Sequence, residues 1–245
     1  MGPRRLLSRP GQAILFDIDG TLLVQSSGHL SVLSETLSKR VGREVRIQMS
    51  GERPELDGVD IAGWTDAQIV REVLHSTSPS TTESDVAAAV GAYVLAYEAV
   101  PLNLRLPRRV AGSSEALESL QAAGVWLGLV TGNASEVARM KLASVGLDRF
   151  FRFDMDLGFG DWRADRTAVA AAAAEAAPRT ADVVSMVGDT GLDMKAARQV
   201  GLRAIGVTTG ACTSAELMAA GADIVFDSVR DLPSLLNRGM KWPTP

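Results

Sequence analysis

Short apolar segments alternate with helical segments along most of this 245-residue chain. The predicted strands lie near residues 12–17, 125–130, 182–187, 202–207 and 223–226. The predicted helices that follow them lie near residues 111–123, 133–144, 167–177, 191–199, 213–220 and 232–236. Buried strands separated by helices are typical of a mainly parallel sheet that is covered on both faces. The sequence therefore predicts an α/β fold with a doubly wound parallel sheet.

One segment, residues 24–107, breaks this alternation. It holds helical patterns near 28–41, 65–76 and 83–99, separated by polar and glycine-containing loops. We expect an all-helical domain at 24–107, inserted after the first strand, and an α/β core formed by residues 1–23 and 108–245.

The first strand runs directly into two carboxylates and a glycine turn, in the order Phe-Asp-Ile-Asp-Gly-Thr. Asp17 and Asp19 follow the carboxyl end of the strand, where open α/β sheets place their ligands. Two acids two residues apart on extended backbone point to the same side. An ionised aspartate can attack as a nucleophile without a base, which makes Asp17 the candidate nucleophile and Asp19 the candidate general acid and base.

A DxD pair alone has other interpretations. It could hold the metal of a glycosyltransferase, form the acceptor pocket of a signalling receiver, or be a solvated strand end. Two further polar clusters at strand ends favour a composite site. Thr131, Gly132 and Asn133 follow the second predicted strand, and a helix start of this kind can bind an anion. Asp189 follows the third, and Asp193 lies one helical turn later. Each of these residues could instead cap a helix.

These motifs resemble the haloacid dehalogenase-like hydrolases, most of which are phosphatases. The run from Phe16 to Thr21 matches the first family motif, the run from Val130 to Asn133 the second, and the run from Gly188 to Asp193 the fourth. The resemblance implies a Rossmann-like core. It also implies that Asp17 carries the phosphoryl group, that Thr131, Gly132 and Asn133 bind phosphate, and that Asp193 lies near the metal. Mg²⁺ would be held by Asp17, the main-chain carbonyl of Asp19 and Asp189.

The third family motif is normally a lysine between the second and fourth, but residues 142–194 contain none. Arg166 stands just before an alanine-rich helical run, which is the position of the family lysine. We therefore assign the catalytic and phosphate-binding role to Arg166, with Arg163 as second choice. The alternative is a helix-start arginine paired to Asp161 or Asp165.

The helical insertion resembles the small cap of the family, which closes over the site. The turn containing Trp64, Thr65 and Asp66 matches the place where capped relatives recognise substrate. Thr65 or Asp66 could instead only cap the next helix, and Trp64 could be a packing residue. His29 is expected to be a surface or hinge residue.

Composition limits the partners and location. A net charge of −4 gives no basic surface for nucleic acid. No apolar stretch is long enough for a signal peptide or a membrane span, and the single cysteine, Cys212, is consistent with a reducing compartment. We expect a cytoplasmic protein whose partner is a small phosphate ester, with the oligomeric state open.

The function predicted from this sequence is a Mg²⁺-dependent phosphatase that acts on a small soluble phosphate monoester through an aspartyl-phosphate. The phosphoglycolate phosphatase branch resembles it most. One alternative is a phosphomutase similar to β-phosphoglucomutase, and another is a non-catalytic phosphate-binding protein of the same fold. A phosphonatase is disfavoured because residues 24–107 contain only Lys39 as a lysine.

Overall fold

A computed structural model describes residues 11–101, 107–155 and 158–237. The strands are β1 (Gly11–Phe16), β2 (Ile47–Ser50), β3 (Arg53–Leu56), β4 (Val59–Asp60), β5 (Trp126–Leu129), β6 (Ala181–Gly188), β7 (Arg203–Val207) and β8 (Ile224–Phe226). The helices are α1 (Gly28–Val41), α2 (Asp66–Thr77), α3 (Glu83–Ala99), α4 (Ser113–Ala122), α5 (Ser135–Ser144), α6 (Arg166–Ala176), α7 (Gly191–Gln199), α8 (Ser214–Ala219) and α9 (Ser234–Asn237).

The central sheet has five parallel strands in the order β5-β1-β6-β7-β8. Phe16 at the end of β1 pairs with Leu129 of β5 on one side and with Val187 of β6 on the other. The three strands therefore end at nearly the same level. The polar residues that follow them leave the same edge of the sheet side by side, which confirms the predicted α/β fold and places the candidate motifs together.

Alternating side chains of the sheet enter two separate apolar cores. Phe16, Leu129 and Val187 face one core, which also contains Phe150 and Phe151. Leu15, Met186 and Ala204 face the other, with the small residues of α6 and α7. This alternation follows from the two-residue period of a strand, and helices cover both faces.

No helix of the described residues has the length and the apolar character needed to cross a membrane.

The segment between β1 and α4 builds its own core from α1, α2 and α3, with buried side chains such as Leu33, Val70 and Tyr93. The prediction that this segment is all-helical is wrong in one respect. A three-stranded antiparallel sheet, β2-β3-β4, lies between α1 and α2. Apolar residues alternate with polar ones from Val45 to Met49, a period that favours a strand over a helix because one face alone is buried.

The insertion contacts the core at two places around the sheet edge. Ala134 and Val137 at the start of α5 belong to the same apolar cluster as α1–α3. On the other side, Arg53 of β3 forms an ion pair with Glu216 of α8, with Nη2 and Oε1 2.6 Å apart. The insertion thus lies over the edge at which the polar motifs emerge.

Candidate active site

Asp17 is the first residue after β1, and its backbone N–H donates to the carbonyl of Val187 at 2.9 Å. Its side chain is buried, and Arg166 Nη2 donates to Asp17 Oδ1 at 2.6 Å. The same guanidinium donates through Nε to Asp193 Oδ1 at 2.7 Å and through Nη2 to the carbonyl of Val130 at 3.1 Å. Arg166 therefore joins the residues that follow three strands of the sheet.

Three carboxylates form a compact acidic cluster: one oxygen from each of Asp17, Asp189 and Asp193 lies within 4.8 Å of the others. Burial, together with the neighbouring negative charges, raises the pKa of Asp17 to about 7 and that of Asp189 well above its usual range. Arg166 opposes both shifts but does not cancel them. Clustered carboxylates with this excess negative charge are suited to a hard divalent cation such as Mg²⁺, which prefers oxygen ligands.

The cluster contains the carboxylates of Asp17 and Asp189 that the family motifs imply as metal ligands, and Asp193, which we expected only nearby, also supplies an oxygen. Asp193 also completes a capping box with Thr190 at the start of α7, so its orientation is fixed from two sides. Gly20 lies against the carboxylate of Asp189 with φ at +77°, where any side chain would collide with that carboxylate.

Asp19 points to a second cation, Lys141, which the sequence did not indicate as a functional residue. Lys141 Nζ donates to both carboxylate oxygens of Asp19, at 2.6 and 2.5 Å, and to Asn133 Oδ1 at 3.0 Å. Its side chain is 1% exposed. Burial opposes the ionisation of Asp19, but the Lys141 ammonium outweighs it and lowers the pKa of Asp19 to about 2. Asp19 is therefore held as a carboxylate.

His29 lies beside this pair, with Nδ1 3.4 Å from Lys141 Nζ. The expectation that His29 is a surface or hinge residue is wrong, because its side chain is buried at the start of α1. Burial and the adjacent Lys141 lower the pKa of His29 to about 3, so the ring is neutral at physiological pH. In the sequence, the only signal for these two residues is their position in helices that adjoin the motifs.

The loop after β5 presents Gly132 and Asn133 to the site. Asn133 Nδ2 donates to Asp19 Oδ2 at 2.8 Å and to Thr131 Oγ1 at 2.9 Å. Thr131 is fully buried beneath the loop. The alternative in which these side chains cap the next helix does not hold, since α5 has Ala134 at its N-cap and no side-chain capping bond.

Of the two candidate arginines, the structure brings Arg166 to Asp17. Arg163 instead donates to the carbonyl of Phe159 at 3.2 Å and lies over the ring of Trp162. The predicted alternative partners of Arg166 have other contacts: Asp165 caps α6, and Asp161 accepts hydrogen bonds from Ser135.

The three residues of the turn that we predicted for substrate recognition do not all reach the cavity. Trp64 and Asp66 line the cavity above the acidic cluster. Thr65 is fully buried, caps α2 by accepting from the N–H of Gln68, and donates to the carbonyl of Arg163 at 3.1 Å. Asp66 accepts from the N–H of Ala134 at 2.8 Å, and burial raises its pKa to about 7.

A cavity of about 70 Å³ separates the insertion from the sheet edge. Its floor contains Asp17, Asp19, Asp189 and Arg166, and its roof is formed by residues of the insertion. A partly open cavity with several carboxylates and a buried arginine at its floor is typical of the active site of an α/β enzyme.

Comparison with known proteins is consistent with that class. Residues 14–207 match the family described as haloacid dehalogenase-like hydrolase. The chain belongs to the haloacid dehalogenase-like hydrolase family, as its motifs predicted.

Two relatives align over most of their length. The phosphoglycolate phosphatase of Nitrosococcus oceani is 24% identical over 236 residues, covering 95% of this chain and 99% of the relative. A protein of Dickeya dadantii named "Probable phosphatase IndB" is 26% identical over 226 residues, covering 89% of this chain and 90% of the relative. Among solved structures, a hydrolase from Pseudomonas syringae has a TM-score of 0.65 at 20% identity, covering 94% of this chain and all of that one. This last similarity concerns the fold alone.

Proposed function

We propose that this protein is a Mg²⁺-dependent phosphatase that hydrolyses a small soluble phosphate monoester through an aspartyl-phosphate on Asp17. The observation that carries the proposal is the contact of Arg166 with both Asp17 and Asp193, beside the clustered carboxylate of Asp189. A nucleophilic carboxylate with a cation and a metal-binding cluster beside it is the arrangement that phosphoryl transfer requires, because the reaction depends on positioning and charge neutralisation.

In the first half of the proposed reaction, an Asp17 oxygen attacks phosphorus and the bond from phosphorus to the alcohol oxygen breaks. Arg166 would stabilise the charge on the transferring group, and the N–H groups of the loop at Gly132 and Asn133 would bind its oxygens. The departing alkoxide takes a proton from Asp19, which leaves a free alcohol and an acyl phosphate.

In the second half, a water molecule attacks phosphorus, Asp19 takes the proton of that water, and Asp17 is released with inorganic phosphate. The carboxylate form of Asp19, stabilised by Lys141, suits this second step. The first step requires a protonated Asp19, which the ammonium of Lys141 opposes. The reaction therefore requires Asp19 to weaken its contact with Lys141 during the first step.

The acidic cluster fits Mg²⁺, with Asp17, Asp189 and Asp193 as the carboxylates in reach and the carbonyl of Asp19 as the further ligand implied by the family motif. Bound there, the ion would reduce the repulsion between the attacking carboxylate and the phosphate.

We further propose that residues 24–107 act as a cap on a core formed by residues 1–23 and 108–245. Within these ranges, residues 1–10, 102–106, 156–157 and 238–245 lie outside the described part of the chain. The cap would exclude water during the first half-reaction and contact the alcohol portion of the substrate through Trp64 and Asp66. The similarity to a phosphoglycolate phosphatase supports a small substrate and makes phosphoglycolate the reference ester for assays.

The proposal is tested by phosphate release from p-nitrophenyl phosphate and a panel of small esters, with and without Mg²⁺. We expect Mg²⁺-dependent release by the wild type and loss of release in Asp17→Asn. Release that persists in Asp17→Asn would refute Asp17 as the nucleophile. Isomerised sugar phosphate without net phosphate release would identify the phosphomutase alternative, and no turnover with any ester would identify the non-catalytic one.

A further inference from the structure

The residues of the insertion that form the roof of the cavity are mostly apolar or uncharged, which disfavours a substrate with a second anionic group. Among the described residues of the insertion, its apolar lining comes from Leu30, Pro54, Ile61, Trp64 and Ile69. None of the described lining residues from the insertion is a lysine or an arginine. The part of a substrate that extends from the phosphate toward the roof therefore meets apolar side chains and a few polar groups, but no ammonium or guanidinium group of these described residues.

The polar groups of the roof likewise include no cation. His29 is buried beside the Lys141 ammonium, and its ring is neutral. Asp66 presents a carboxyl group whose partner is the N–H of Ala134. Gln25 is uncharged. A second carboxylate on the substrate would thus lose its hydration beside an acid, without gaining a counter-ion.

The cations near the cavity are either engaged by other groups or line the groove that adjoins it. Arg166 is bound between Asp17 and Asp193 at the floor, where the phosphate reacts. Lys141 is bound by Asp19 and Asn133 and does not line the cavity. Arg53 and Lys195 line the neighbouring open groove, where Arg53 is paired with both Asp60 and Glu216.

We infer that the alcohol portion of the substrate is small, uncharged and partly apolar, so that the phosphate is the only anionic group that the site accepts. This inference rests on the proposed phosphatase function and makes it more specific. It also separates this chain from an enzyme selective for phosphoglycolate, whose substrate carries a carboxylate next to the phosphate ester. A cavity of about 70 Å³ between the floor and the roof favours a compact alcohol.

The test compares two esters that differ in one group: phosphoglycolate, with a carboxylate, and 2-hydroxyethyl phosphate, with a hydroxymethyl group in its place. We expect kcat/KM to be at least about tenfold higher for the neutral ester. If both are turned over slowly, their inhibition constants against p-nitrophenyl phosphate give the same comparison. Equal or better use of phosphoglycolate overturns the inference, while phosphate release itself would still support the proposed function. No phosphate release from any ester would overturn both.

Gln25 offers a matched pair of variants, because it lines the cavity and its side chain is only partly buried. Gln25→Lys adds a cation of similar length, and we expect it to reduce or reverse the preference for the neutral ester. Gln25→Met has a similar length and no charge, and it should keep that preference. The inference would be contradicted if both variants changed the ratio of kcat/KM for the two esters by the same factor. That result would show that the shape of the side chain, and not its charge, sets the selectivity.

Discussion

Replacing Lys141 by methionine tests whether the buried ion pair with Asp19 is a structural element of the site. Methionine keeps most of the side-chain volume and removes the charge. Lys141 Nζ serves both oxygens of Asp19 and the Asn133 amide, so the variant leaves three acceptor atoms without this donor. Breaking a buried pair by removing one partner costs about 3–5 kcal/mol. The side chain of Asp19 is 12% exposed, so water can reach it in part and we expect a loss near the lower value, ~3 kcal/mol.

The pair is best measured by a double-mutant cycle in urea, without added Mg²⁺. Asp19→Asn leaves the Lys141 ammonium buried at 1% exposure and should also destabilise the protein strongly. The double variant removes both charges together. We therefore expect it to be more stable than the sum of the single losses predicts, by about 2–3 kcal/mol.

A control substitution of the same kind is available on the surface. Lys39 forms an ion pair with Glu35 one helical turn earlier, and its side chain is 74% exposed. Lys39→Met should leave the unfolding midpoint unchanged, because an exposed pair contributes little. Additive losses in the Lys141 and Asp19 cycle, or a loss for Lys141→Met no larger than that for Lys39→Met, would refute the reasoning.

Three further predictions concern the other charged groups of the site. Arg166→Ala should lower kcat at least about 100-fold, whereas Arg163→Ala should be mild, and steady-state kinetics showing the reverse order would exclude our assignment. Because burial raises the pKa of Asp66 from 3.8 to about 7, its contribution to stability is complete below pH ~4 and is lost as the pH rises through 7. In urea unfolding, the free energy of unfolding of Asp66→Asn relative to that of the wild type should therefore rise by up to ~4 kcal/mol between pH ~4 and pH ~8. A difference that stays constant with pH would argue against a protonated Asp66. Mg²⁺ at about 100 times its Kd should stabilise the wild type by about 2.7 kcal/mol in thermal unfolding but not Asp189→Asn, and an equal shift in both would place the ion elsewhere.

The sequence predicts the sheet and its polar edge well because both depend on local patterns. Apolar runs of strand length, each followed by a polar turn and a helix, need no knowledge of distant contacts. Parallel pairing then brings the ends of β1, β5 and β6 to one edge, which accounts for the proximity of Asp17 and Asp189. Arg166 could be placed only through the resemblance to the family, because its position before an alanine-rich helix matches that of the family lysine.

Lys141 could not be predicted in the same way. Its partner Asp19 is 122 residues away in the sequence, and the surrounding helix α5 carries Glu136 and Arg139 as an ordinary solvent-exposed helix does. The packing of the insertion against the start of α5 buries this side of the helix together with Asp19 and Asn133 of the core. The small sheet β2-β3-β4 is a different case, because the alternation from Val45 to Met49 was a visible signal that the helical patterns on either side obscured.

Each of the two carboxylates of the first motif contacts a different buried cation. Arg166 contacts Asp17 and Asp193 through two nitrogens of one guanidinium and also reaches the carbonyl of Val130, which suits the planar, branched donor set of arginine. Lys141 holds both oxygens of Asp19 with a single compact ammonium. Each of these two acids thus has its own buried cation. In the reaction that we propose, the contact of α5 with the insertion would link the position of the insertion to the pair formed by Lys141 and Asp19.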